Sequence, residues 1–131
     1  MGQIKDLKKE LDKWVSLFVR LTYANDNGFV CCYTCDKISH YKNMHCGHFV
    51  SRGKLATRFD MRNMRPQCPG CNLFGGGKPD VFALKLTSEY GDGIIKELYQ
   101  LSNKITKYFP YEEKIEFYKK EVKELLLQKH L

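Results

Sequence analysis

The chain has 131 residues, a formal charge of +7 and six cysteines. That length fits one compact domain with helical appendages and is too short for two ordinary domains. No apolar run approaches the roughly 20 residues a membrane span requires, and the charged start MGQIKDLKKELDK is unlike an export signal. A cytoplasmic protein with no membrane partner is expected, and the cysteines are read as metal ligands before disulfides.

In chain order, Ile4, Leu7, Leu11, Trp14, Val15, Phe18 and Leu21 recur on one face of a helix running to about Ala24, which Asn27 and Gly28 stop. The short apolar segment Phe29 to Tyr33 and a second extended run, His45 to Ser51, are predicted to pair as a hairpin across a polar loop. A basic loop from Arg52 to Gln67 then leads into Cys68, and a helix opening at Asn72 to Phe74 is interrupted by Gly75-Gly76-Gly77. Pro79 suits the first turn of a helix ending near Tyr90, where Gly91 is a natural stop. Ile94, Ile95, Leu98 and Leu101 mark a further helix. After Pro110, Ile115, Tyr118, Val122, Leu125 and Leu126 mark the last. The pattern predicts an α+β chain with an N-terminal amphipathic helix over 1–28, a core over 29–91 and a C-terminal helical extension over 92–131, all in one compact domain.

The charge is unevenly spread. Between Lys37 and Arg65 stand seven basic residues, Lys37, Lys42, Arg52, Lys54, Arg58, Arg62 and Arg65, against the single acid Asp60. From Tyr111 to Leu131 five lysines balance five glutamates, the pattern of a solvated helix face. The basic stretch is therefore the candidate nucleic-acid surface. Arg52, Lys54, Arg58, Arg62 and Arg65 are its candidate phosphate contacts, with pairing of Arg58 or Arg62 to Asp60 the competing use.

The same stretch lies between two CxxC pairs, Cys32-Tyr-Thr-Cys35 and Cys68-Pro-Gly-Cys71. Each can turn both thiolates toward one tetrahedral ion, and in the second Gly70 and Pro69 suit the tight turn. Structural zinc on Cys32, Cys35, Cys68 and Cys71 is the reading preferred over two disulfides. Cys31, an alternative to Cys32, and Cys46 are read as packed thiols. The Gly75-Gly76-Gly77-Lys78 run lacks the upstream glycine and the Ser/Thr of a phosphate-binding loop, which argues against a nucleotide triphosphatase.

Four-thiolate zinc is coordinatively closed, so any chemistry must come from other residues. His40, His45 and His48 lie between the knuckles, Asn63 precedes the second, and Asn72 follows it directly. In this order the chain resembles the HNH, or His-Me finger, superfamily. The segment RFDMRNMRPQCPGCN, with HCGHF upstream, resembles the phage NinG (Rap) recombination nucleases and is similar in layout to endonuclease VII. The resemblance covers Cys32 to about Gly77. It implies a small zinc-bound, treble-clef-like ββα-metal core flanked by helices.

The resemblance further implies His48 as general base, Asn63 as the asparagine that orients the loop, and Asn72 as ligand of a catalytic Mg²⁺ or Mn²⁺ ion. Where many relatives carry an aspartate before the base, this chain has Gly47. The second ligand is then either His45 or Asp60, the first favoured by position and the second by its oxygen chemistry. The implied activity is structure-selective hydrolysis of phosphodiester bonds in branched DNA, such as Holliday junctions, by a homodimer. A sequence-tolerant nicking or restriction-type nuclease and a non-catalytic zinc-ribbon DNA-binding module are the alternatives. His40 and His130 read as ordinary surface residues.

Overall fold

The computed structural model describes residues 2–131. Helix α1 spans Gly2–Thr22. Its apolar stripe buries Leu11, Val15, Val19 and Leu21, while Ile4 stays exposed. That stripe packs along the C-terminal helix, α5 (Tyr111–Gln128), where Ile115 and Tyr118 join Leu11, Val15 and Val19 in one core cluster. Phe18 meets Tyr118 edge to face, with ring centroids 5.2 Å apart. Helices from the two ends of the chain thus form one parallel pair, Leu11 beside Ile115 and Leu21 beside Val122, whose apolar faces cover each other, and the middle of the chain lies against it.

The predicted hairpin between Phe29–Tyr33 and His45–Ser51 does not form. Strand β1 (Phe29–Cys31) pairs instead with β2 (Ile38–His40), Phe29 opposite His40, so the first cysteine pair lies in the turn of a local hairpin. Strand β3 (His45–His48) pairs antiparallel with β4 (Met64–Gln67), His45 opposite Gln67 and His48 opposite Met64. The local pairing closes over a handful of residues, whereas the expected one had to enclose a longer loop. β4 was concealed because Met-Arg-Pro-Gln shows neither alternation nor an apolar run, although all four residues are buried. The Tyr33 amide donates to the Pro66 carbonyl at 2.9 Å and ties the first hairpin to the second.

The expected basic loop is correspondingly more ordered. It holds the short helix α2 (Leu55–Arg58), a tight turn over Met61–Asn63 and then β4. After Cys68 a single wide helical turn covers Gly70–Phe74, starting inside the second CxxC. Helix α3 (Pro79–Tyr90) begins at its proline and stops at Gly91, whose φ of 100° is open to glycine at little cost. Helix α4 (Ile94–Ser102) follows. Phe82 and Leu86 of α3 pack with Ile94 and Leu98 of α4 against Val50, which fixes the loop that leaves β3. No described helix is long and apolar enough to cross a membrane.

Candidate active site and metal centre

The two CxxC pairs converge. The sulfurs of Cys32, Cys35, Cys68 and Cys71 lie within 4.8 Å of one another, and three of the four residues are buried. Cys35 Sγ and Cys68 Sγ are 3.6 Å apart. Tetrahedral zinc with sulfur bonds of about 2.3 Å requires sulfur separations of roughly 3.8 Å, so the donor set fits that ion. The amides of Cys68 and Cys71 donate to Cys32 Sγ and Cys68 Sγ, at 3.2 and 3.4 Å. Burial alone would push the Cys32 thiol up, but hydrogen bonds from the amides of Cys68, Thr34 and Cys35 and from the Thr34 hydroxyl prevail and hold it below the ordinary thiol range. Four cysteines are thus positioned to bind a metal ion, consistent with structural zinc. Cys31 stands outside the cluster and is exposed, not packed as expected, and Cys46 lies part-buried on β3.

Beside this cluster opens a cleft of about 520 Å³. His45 and His48 reach it from β3, Asn72 from the turn after the second knuckle, Asp12 and Arg20 from α1, Arg52 from the loop, and Gly76 and Gly77 from the glycine run. Asn72 Nδ2 lies 3.1 Å from His45 Nδ1, to which it donates. His48 Nε2 lies 2.9 Å from the Arg58 carbonyl. A carbonyl can only accept, so Nε2 carries the proton and Nδ1 is the basic nitrogen. Burial lowers the His48 pKa to about 4. The bond to Arg58 opposes this shift and Arg52 adds to it, so the ring is neutral at pH 7.

Asn63 is wholly buried. Its Nδ2 donates to the carbonyls of Val50 at 2.9 Å and Thr57 at 3.1 Å, and its Oδ1 accepts from the Val50 amide at 2.7 Å. One side chain therefore stitches both sides of the loop that follows His48. Asp60 is not in the cleft: its carboxylate takes the Arg62 guanidinium and caps the Met61–Asn63 turn through the Arg62 amide.

The basic residues divide by placement. Arg65 is 1% exposed, bound to Glu89, Tyr90 and two backbone carbonyls and enclosed by the rings of Tyr23, Tyr33 and Tyr90. Arg62 bridges Asp60 and Glu97, so one of the two competing pairings with Asp60 is the one adopted. Arg58 forks onto Asp12 and donates to the Arg52 carbonyl. Of the five candidate phosphate contacts, only Arg52, 61% exposed with a loose 3.8 Å contact to Asp12, and Lys54 face outward.

A family model described as bacteriophage lambda NinG protein matches residues 2–128. The chain belongs to the NinG family. No curated protein and no solved structure matches it significantly. In this NinG-family chain the match extends over α1 and α5 as well as the knuckles, and the geometry adds a residue that motif reading missed. Asp12, on α1, reaches the wall of the cleft and clamps Arg58, whose backbone carbonyl holds His48. Its signal in the sequence is slight, one acid among the alternating charges of a helix, 46 residues from its partner. Gly47 also gains a reason: a Cβ there would lie 1.8 Å from Gln67 Oε1. Gln67 is itself fixed, with Nε2 donating to Thr34 Oγ1 and to the Gly77 carbonyl. The place a side chain at 47 would occupy is filled from β4.

Proposed function

We propose that this NinG-family chain is a metal-dependent endonuclease that hydrolyses phosphodiester bonds in branched DNA during phage recombination, in the host cytoplasm. The observation that carries the reading is a neutral His48 with its Nδ1 basic, in one cleft with Asn72 and His45 and outside the closed cysteine cluster. His48 Nδ1 takes a proton from water, the hydroxide attacks phosphorus in line, and the bond to the leaving O3′ breaks as O3′ takes up a proton from solvent, giving 5′-phosphate and 3′-hydroxyl ends. The cleft wall supports a divalent ion by its donors: the Asn72 amide beside the His45 imidazole suits a cation that keeps several waters. Held there, Mg²⁺ or Mn²⁺ would offset charge on the phosphate and the leaving oxygen. The mixture of nitrogen and oxygen donors favours Mn²⁺.

Arg52 and Lys54 supply the outward charge that holds a phosphate backbone beside the cleft. Paired cuts across a junction require two sites, so the working unit is a homodimer. His48→Ala should abolish cleavage and leave zinc content and DNA binding intact. Cleavage retained by that variant would end the assignment, and binding without cleavage by the unaltered protein in any divalent ion would leave a zinc-stabilised DNA-binding module.

A further inference from the structure

Phe74 is 89% exposed and Leu73 beside it 62% exposed, on a segment that is otherwise tightly held. The Asn72 amide donates to the Cys68 carbonyl, Gly75 to Gly70 and Gly77 to Cys71, at 2.8 to 2.9 Å. The phenyl ring is thus presented to solvent from a backbone anchored in the second knuckle, two residues after Asn72. Gly76 and Gly77, which follow it, line the cleft itself. What sets Phe74 apart from the other exposed apolar side chains is its place, beside Leu73 on the turn that carries Asn72 and leads into the cleft wall.

We propose that Phe74 stacks on a nucleobase exposed at the branch point of DNA whose backbone lies in the adjoining cleft, which rests on the nuclease reading above. The surroundings favour nucleic acid over protein. Lys78, whose side chain lies against Gly75, is exposed and in no ion pair among the described residues, and Arg52, on the cleft wall, has only its loose contact to Asp12. One ring and one leucine are far below the roughly 800 Å² per partner of a stable protein interface, but they match one base. A linear duplex keeps its bases stacked and offers no free face, whereas a branch point does. The ring therefore selects branched over linear DNA without reading sequence.

The test measures binding in a His48→Ala background with no added divalent ion, so that cleavage plays no part. Phe74→Ala should lower the ratio of four-way-junction to linear-duplex affinity about tenfold, and Phe74→Trp should restore it. The added indole emission in Phe74→Trp should change on binding junction but not duplex. An unchanged ratio in Phe74→Ala, or no binding of junctions at all, overturns the inference. Conversion of a dimer to monomers by Phe74→Ala would overturn it too, by assigning the ring to self-association. Stacking signals from a protein that never cleaves would sink the nuclease reading alone.

Discussion

At the residue scale His48 sits on the cleft wall, the proposed base, and Asn63 is buried in the loop behind it. Burial lowers the His48 pKa from an ordinary 6.5 to about 4, so the basic form persists well below neutrality. Protonation removes the base, and activity is therefore lost as pH falls through the lowered value. Cleavage at pH 5.5 should stay near its level at pH 7, with zinc content followed in parallel. An acid limb centred near 6.5 would contradict the assigned environment. Asn63→Ala leaves one amide and two carbonyls without their partners in a closed interior and should cost about 2–3 kcal/mol in denaturant unfolding. A loss under 0.5 kcal/mol would show that the loop does not depend on it. Both positions were singled out by the resemblance to the HNH pattern, and the structure places His48 on the cleft wall and Asn63 buried behind it. Asp12 was not, because nothing in a helix of alternating charges distinguishes the acid that folds onto Arg58. Neither was the internal use of Arg65, since a run of arginines looks the same whether it faces phosphate or tyrosines.

Among the elements, the helices followed from period and punctuation: α3 runs from Pro79 to the glycine stop as expected, and α4 and α5 fall where their apolar residues recur. Strand pairing did not follow. Met64–Gln67 is buried through Arg65 and Gln67, polar side chains whose partners lie on other elements, so no alternation announces a strand. Arg65 joins β4 to α3 through Glu89, which is partly exposed and screened on that account. Arg65→Met removes the charge while keeping much of the bulk. It should destabilise by about 1–3 kcal/mol in thermal or urea unfolding, because Glu89 and two carbonyls lose their donor. The apolar stripes of α1 and α5 already cover each other, so a homodimer would rest on other residues, such as the exposed Phe117 and Leu127 of α5.

At the scale of the whole molecule, the metal cluster and the cleft share a wall. Cys32, Cys68 and Cys71 sit in a core cluster with Leu21, Val30, Met44 and Val122, which couples the knuckles to both terminal helices. Zinc binding of the order of 10 kcal/mol would then stabilise the entire chain and not one loop. Excess chelator should abolish the cooperative thermal transition, and a melting curve unmoved by chelator would mean that the four thiols hold no structural ion. The cleft depends on that frame, since Asn72 and the glycine run hang from the second knuckle. Whether the proposed cleft cuts DNA is read from the cleavage rate of a labelled four-way junction by zinc-loaded protein as Mn²⁺ or Mg²⁺ is titrated. Cuts should need the added ion, exceed those in a linear duplex of the same sequence and vanish in His48→Ala. Junctions left whole at every concentration of either ion would contradict it.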